Sequence, residues 1–363
     1  MSQTTTQTPS LRGRLRRVAE YVATPLVPED YLDMVAPLSN PSRLRGRIES
    51  IHPETKDAVT LVIRPGRGWS GHTPGQYVRV GVDVDGVKLW RAYSLTSGAR
   101  TDGLVSITVK AIPDGVVSNH LVRSARVGTI VDLDPATGEF VQPERLPRKV
   151  LFIAAGSGVT PVMGMLRSHD GLDRRHGCDV VVLTAAPTKH DLIFGGELRL
   201  MAKDSRITLV ESHDDVDGFL DADRLVELVP DLAQRETWAC GPTPLLDLVE
   251  QLYADKGIED QLHTERFRPT IVVAGEGGTV TFGKQEKVVV ADGATPILTA
   301  GEAEGVLMPS GCRMGICMGC VVPLKEGAVR DLRTGELTTA VEGDNVKIQT
   351  CINAAAGPCH IEL

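Results

Sequence analysis

The chain has 363 residues, 42% of them hydrophobic, and a formal net charge of −8. That length predicts two or three domains, each with a core of its own, and the acidic balance argues against general nucleic-acid binding. No apolar run approaches the ~20 residues of a membrane-spanning helix, and the polar opening MSQTTTQTPS lacks a signal-peptide core, so a cytoplasmic protein without a transmembrane segment is expected.

Residues 1–10 read as a disordered tail. LRGRLRRVAEYV (11–22) then carries four arginines, all within 11–17, on a short amphipathic helix. A basic face turned to water is the expectation, with peripheral association at the inner face of a membrane as the alternative. Pro25, Pro28, Pro37 and Pro41 punctuate a connecting stretch, so 1–43 stand apart as an N-terminal tail and segment. From 44 to 147 short alternating runs (RLRGRIESI, AVTLVIRP, QYVRVGV, KLWRAYSLT, VSITVKAI, TIVDLD) predict a small antiparallel β-barrel, interrupted by one short helix, SNHLVRS. From 148 to 267 strand and helix alternate: KVLFIAA with VMGMLRS, DVVVLTAA with DLIFGGELRLMA, RITLVES with ADRLVELV, TWACG with PLLDLVEQLYADKG. This is the pattern of an α/β domain with a parallel, helix-covered sheet. From 268 to 363 a hairpin (TVTFG, KQEKVVVADG), a helix (PILTAGEAEG), a cysteine loop and the strands VVPLKEG and NVKIQT predict a compact β-rich domain.

Four of the seven cysteines form one pattern, Cys312-x4-Cys317-x2-Cys320, with Cys351 thirty intervening residues later. Thiolates at these intervals can hold both irons of a [2Fe–2S] cluster, in the spacing of a plant-type ferredoxin site. Gly311, Gly315 and Gly319 let backbone N–H groups turn inward toward the sulfurs. A structural zinc site would more usually offer two short C-x(2–4)-C pairs. The odd cysteine total and this assignment make a disulfide framework unexpected, which fits a reducing compartment. Cys178 and Cys359 read as small core residues. Within the loop, Arg313, Met314 and Met318 either shape the potential and docking face of a cluster or are filler and cover.

Three further motifs carry chemistry. Arg91-Ala92-Tyr93-Ser94 ends a barrel strand: an Arg fork suits a phosphate, an aromatic face a flat ring, a hydroxyl a ring nitrogen. Arg91 and Tyr93 share one strand face and Ser94 points across. The plain alternative is a surface cross-strand pair. Gly115-Val116-Val117-Ser118 opens a helix whose N–H groups suit a diphosphate, or Ser118 serves only its own helix. Gly156-Ser157-Gly158-Val159-Thr160-Pro161 follows an apolar strand and precedes a helix, the order that aims backbone N–H groups at a phosphate; a bare βα turn would look the same. Cys240-Gly241-Pro242 ends another strand, so both loops could face one crevice at the carboxyl edge of the sheet; Cys240 could otherwise be a core thiol.

RAYSLT, TVK and GxxSNHL, with GSGVTP and CGP, resemble the ferredoxin–NADP reductase superfamily. That resemblance implies a multidomain chain of FAD-binding barrel, NAD(P)H-binding domain and α+β, β-grasp [2Fe–2S] ferredoxin domain, covering about 44–363. It implies Arg91 on the flavin pyrophosphate, Tyr93 on the ribityl chain and ring, and Ser94 near the reactive flavin nitrogen. Val109 and Lys110 would lie beside the cofactor, with Gly115, Val117 and Ser118 around the diphosphate. Gly156, Gly158, Thr160, Pro161, Gly241 and Pro242 would hold the nucleotide, with Cys240 near the nicotinamide. His263-Thr264-Glu265-Arg266-Phe267 resembles the terminal E-x-F of flavohaemoglobin-like reductases, which implies Phe267 against the flavin ring and Glu265 nearby. Many relatives carry an Arg for a 2′-phosphate in the loop after the domain's second strand, where this chain has Pro187. Lys189, His190, Arg199 or Arg206 could substitute, so NADPH is expected with NADH possible. WRAYSLTS, IPDGxxSNHLVR, TAxPT, LHTERFRPT and MPSGCRMGICxGC further resemble actinobacterial reductases that serve stearoyl-CoA Δ9 desaturases. The implied function is electron transfer from NADPH through FAD and the cluster to a membrane acyl-CoA desaturase. The alternatives are an acceptor that is a Rieske oxygenase, hydroxylase or cytochrome P450, and, in another class, a redox-sensing binding protein.

Overall fold

The computed structural model describes residues 35–40, 43–98, 102–113, 115–143, 146–168, 178–267, 274–285, 287–311, 313, 315, 318–344 and 346–363. Tail 1–10, the arginine-rich segment 11–17, Cys312, Met314 and Cys317 lie outside the described residues. Three sheets follow one another along the chain.

The first is built of β1 (Arg45–Thr55), β2 (Ala58–Pro65), β3 (Tyr77–Val84), β4 (Val87–Ser94), β5 (Val105–Lys110) and β6 (Ile130–Leu133), ordered β4-β3-β6-β1-β2-β5. All its pairings are antiparallel. A bridge between Leu95 and Ile107 joins the two ends of that order and curls the sheet into a barrel. Ile48, Leu61, Ile63, Val80 and Ile107 fill the interior without exposure. Because β4 is terminal in the order, much of its outer edge carries backbone groups without a strand partner. The predicted helix SNHLVRS is a single turn of α1 (Val116–Asn119) widening into a π-helical turn at His120–Ser124.

The second sheet is wholly parallel: β7 (Lys149–Ala155), β8 (Asp179–Ala186), β9 (Thr208–His213), β10 (Glu236–Cys240) and β11 (Leu262–Glu265), ordered β11-β10-β7-β8-β9. Its helices are α2 (Val159–Ser168), α3 (Gly195–Lys203), α4 (Asp214–Asp217), α5 (Ala222–Leu228) and α6 (Thr243–Lys256). The predicted helix over 191–202 starts later, at Gly195. Leu192, Ile193 and Phe194 are buried ahead of it, and Phe194 adopts a left-handed backbone (φ 59°) that cannot continue a helix. The chain runs outward through β8 and β9, then returns to the far side of β7 for β10 and β11. The order therefore reverses between β7 and β10, and a crevice opens at their carboxyl ends.

The third sheet contains β12 (Gly278–Phe282), β13 (Lys287–Ala291), β14 (Val321–Asp331), β15 (Leu337–Ala340), β16 (Val346–Gln349) and β17 (Asn353–Ile361), with α7 (Ile297–Ala303) packed on it. Its order is β13-β12-β17-β14-β15, with β16 also on β14; β12 and β17 are parallel and the rest antiparallel. The sequence pattern does not reveal β15 or β17, the second of which is the central strand. Cys359 sits on β17 in the domain core, where burial lifts its thiol to about 11.

Candidate functional site

The barrel and the parallel sheet meet through close backbone contacts that only glycine permits. A Cβ on Gly164 of α2 would stand 2.3 Å from the Leu95 carbonyl oxygen, and one on Gly98 would stand 2.5 Å from that of Arg167. Arg167 donates to the Thr96 carbonyl at 2.8 Å and pairs with Glu197. The segment just past RAYS is thus clamped to the first helix of the neighbouring domain.

At the switch point the two glycine loops touch. A Cβ on Gly158 would lie 2.0 Å from the Cys240 carbonyl oxygen and 2.7 Å from the Gly241 nitrogen. Gly156 is left-handed (φ 55°) with open space around it, as a loop approached by a ligand requires. Thr160 spends its hydroxyl on the Ser157 carbonyl at 2.8 Å, and Pro161 is buried in the first turn of α2. Pro242 caps α6. Cys240 is fully buried, opposite Glu265 in the β10–β11 register. Burial first, and the Glu265 carboxylate second, push its thiol far above the ordinary range.

A cavity of about 750 Å³ opens where all three sheets converge. The barrel contributes Arg91, Tyr93, Ser94, Lys110, Gly115, Val117 and Ser118; the parallel sheet contributes Ser157, Thr160, Glu265 and Phe267; the third domain contributes Leu298, Glu302, Arg313 and Cys351. Arg91 and Cys351, 260 positions apart in the chain, thus share one wall. Ser94, expected to point away from Arg91 and Tyr93, also lines the cavity, from the last position of β4. Val109 is not at the wall: its side chain is buried in the barrel interior. Gly156, Gly158, Pro161, Cys240, Gly241 and Pro242 lie beside the cavity at the switch point rather than on its wall.

The wall is chemically unsatisfied. Ser94 Oγ and Glu265 Oε2 are sealed from water with no hydrogen-bond partner among the described residues. Lacking a partner, the Glu265 carboxyl is lifted by burial from an ordinary 4.5 to about 8. Among the described residues Arg91 donates once, to the Trp90 carbonyl at 2.7 Å, and burial, then the charge of Arg313, lower it to about 10. Burial also raises the Tyr93 phenol. Lys110 is neutralised by Asp57 at 3.0 Å. Ser118 is turned inward on its own helix, accepting from the Ile112 N–H and donating to the Gly115 carbonyl. An elongated, partly aromatic group with an anionic end and ring heteroatoms would satisfy Ser94 and Arg91 together, so the donor set fits a flavin dinucleotide.

Cys351 reaches this cavity from the third domain. With Cys320 it is buried against Leu298 and Ile352. The two cysteine segments are tied where Thr350 donates its N–H and its hydroxyl to the Cys320 carbonyl, at 3.2 and 3.1 Å. Gly315 is left-handed (φ 74°), and a Cβ there would strike Arg333 and Ile352. Two buried cysteines so joined, one of them closing a glycine-turned loop, fit a thiolate-bound iron–sulfur cluster. Met318 is exposed beside them. Sequence reasoning missed Glu302 and the inward turn of Arg313, and nothing in the local sequence signals either.

In the loop after β8, Lys189 and His190 are exposed. Arg199 is committed to Glu211 through two bonds, at 2.8 and 2.6 Å, and so is withdrawn from any phosphate there.

Family models match along the chain in the same order: an oxidoreductase FAD-binding domain at 54–141, an oxidoreductase NAD-binding domain at 152–251 and a 2Fe-2S iron-sulfur cluster binding domain at 280–355. The chain is 46% identical to an NADPH oxidoreductase of Mycobacterium tuberculosis, over 96% of this chain and 92% of that one. It is 32% identical to the NADH oxidoreductase HCR of Escherichia coli, over 82% and 90%. It is also 32% identical to the ferredoxin reductase component of the Mycolicibacterium smegmatis 3-ketosteroid-9-alpha-monooxygenase, over 78% and 86%. In fold it is similar to phthalate dioxygenase reductase (TM-score 0.63, 20% identity, 89% of this chain and 99% of that one). The chain therefore belongs to the ferredoxin–NADP reductase superfamily, as an NAD(P)H-dependent oxidoreductase of FAD, with a C-terminal [2Fe–2S] domain.

Proposed function

We propose that this reductase draws electrons from NADPH and delivers them, through its flavin and its cluster, to a membrane acyl-CoA desaturase. A bound flavin accepts a hydride and releases electrons singly, and a [2Fe–2S] cluster carries one electron at a time. The observation that carries the electron-transfer reading is the shared cavity: Ser94 and Phe267, the proposed flavin contacts, and Cys351, a proposed cluster ligand, line one 750 Å³ space.

In this reading Arg91 binds the diphosphate and Tyr93 stacks on the ring and ribityl chain. Lys110 and the backbone of Val109 flank the cofactor, and the backbone of Gly115, Val117 and Ser118 borders its phosphates. Ser94 donates its otherwise unmet hydroxyl to the reacting edge of the ring. Phe267 covers the ring face and yields to nicotinamide. Gly156, Gly158, Thr160, Pro161, Gly241 and Pro242 shape the nucleotide crevice, and Cys240 backs the nicotinamide. Glu265, neutral at pH 7, holds a proton beside the reacting groups without a competing charge. Cys312, Cys317, Cys320 and Cys351 ligate the cluster. NADPH is favoured by the exposed Lys189 and His190 after β8 and by the 46% identity to an NADPH oxidoreductase.

The desaturase reading is supported by the motifs WRAYSLTS, LHTERFRPT and MPSGCRMGICMGC. Among the described residues no helix is long and apolar enough to cross a membrane, so this chain would meet its acceptor at the surface. Oxygenases are the second reading, because several relatives are named as monooxygenase reductase subunits. Incubating the holoprotein and NADPH with membranes that contain an acyl-CoA desaturase, and following oleate, tests the choice. Oleate formation dependent on this chain is expected. Turnover with a Rieske oxygenase and none with the desaturase would transfer the assignment to the second reading.

A further inference from the structure

Arg313 directly follows the first cysteine of the cluster motif, and its backbone lies in the left-handed region (φ 62°), which disfavours residues with a Cβ. Its side chain lines the cavity between the domains rather than the outer surface. Glu302 of α7 pairs with one of its nitrogens, while Nε stays buried with no partner among the described residues. Across the same cavity stands Arg91, whose guanidinium makes one hydrogen bond among the described residues and lies within the electrostatic reach of both Arg313 and Glu302. Two guanidinium groups against one carboxylate leave a surplus positive charge on a partly exposed wall, Arg313 keeping 23% and Glu302 30% of their side-chain surface. Like charges are held together in such a place only at a penalty, which an anion between them removes.

We infer that Arg91 and Arg313 grip the same phosphate-bearing end of the flavin, one from the barrel and one from the cysteine loop. The cofactor then acts as the joint between the two domains, and flavin loading and docking of the cluster domain are one event. This rests on the reading of Arg91 as the phosphate ligand. It adds a cofactor-binding residue more than 200 positions beyond the barrel motif, and a reason for Arg313 to occupy a strained turn. In a flavin-free molecule Arg313 pairs, among the described residues, with Glu302 of its own domain, so the third domain is held less firmly against the barrel.

The test uses full-length, cluster-loaded protein stripped of flavin, titrated with riboflavin, FMN and FAD, with binding followed by quenching of flavin fluorescence. Arg313→Gln should weaken FMN and FAD about tenfold or more, as loss of a charge-assisted contact does. Riboflavin, which has no phosphate, should bind wild type and variant alike, and the visible cluster bands should be unchanged. Glu302→Gln should tighten FAD, because it releases a competitor for Arg313. Hydrogen exchange of α7 should slow when FAD is added to wild type and not when it is added to Arg313→Gln. Equal FAD affinity in wild type and Arg313→Gln overturns the inference, as does an equal loss in Arg313→Gln and Glu302→Gln, which would make the pair a strut. If Arg91→Ala also leaves FAD binding unchanged, the flavin reading of Arg91 fails as well; if it weakens FAD while Arg313→Gln does not, only the bridge fails.

Discussion

Gly158→Ala gives the sharpest structural test of the nucleotide crevice. A methyl group there would sit 2.0 Å from the Cys240 carbonyl oxygen, 2.4 Å from its carbon and 2.7 Å from the Gly241 nitrogen. All three are backbone atoms of β10 and its turn, so no flexible side chain can swing aside. Overpacking of this kind costs roughly 3 kcal/mol, at the upper end of the usual range, because the strand itself must move. For a domain of this size that lowers the melting temperature by roughly 10–15 °C. It also spreads the two loops on either side of the sheet reversal, so KM for NADPH should rise at least about tenfold. Gly156→Ala is the internal comparison: its φ of 55° penalises a side chain, yet nothing lies within 4 Å. It should cost only about 1–2 kcal/mol. Differential scanning fluorimetry and ferricyanide reduction at varied NADPH measure both. Wild-type melting and KM in Gly158→Ala, or a larger effect at Gly156, would refute the proposed contact between the loops.

Two other perturbations probe the unsatisfied wall. Ser94→Ala deletes a buried hydroxyl without a partner, so the flavin-free protein should melt no lower than wild type, while flavin reduction by NADPH slows; a drop in flavin-free stability would make Ser94 structural instead. Glu265 releases its proton near 4.5 when unfolded and near 8 when folded. The folded state therefore holds the extra proton between those values, and stability declines as pH rises through that window, by at most ~5 kcal/mol. Flavin-stripped Glu265→Gln should lose this slope between pH 5 and 8; an identical slope in variant and wild type would assign it to another group.

Local patterns made much of this legible. An apolar strand, a glycine turn and a helix are consecutive in sequence, so GSGVTP and the CGP loop could be placed on a parallel sheet. Their contact could not, because the reversal between β7 and β10 is a property of strand order. The barrel was readable from its alternation. The strand β17 was missed because NAAAGPCHI pairs weak strand formers with Gly357 and Pro358, and it is held by partners on both sides. Opposite it, Gly327 (φ 97°) accommodates the Pro358 carbonyl, which a Cβ would approach to 2.2 Å. The cysteine quartet was plain from spacing, but the turn of Arg313 into the cavity depends on how two distant domains pack.

Anaerobic rapid mixing of the holoprotein with NADPH, recording flavin and cluster bands together, tests the central claim most directly. The flavin band should bleach first, the cluster band should follow within the same molecule, and Cys317→Ser should reduce its flavin normally with no second phase. A cluster that stays oxidised beside reduced flavin, or one that NADPH reduces equally fast in flavin-stripped protein, would contradict it.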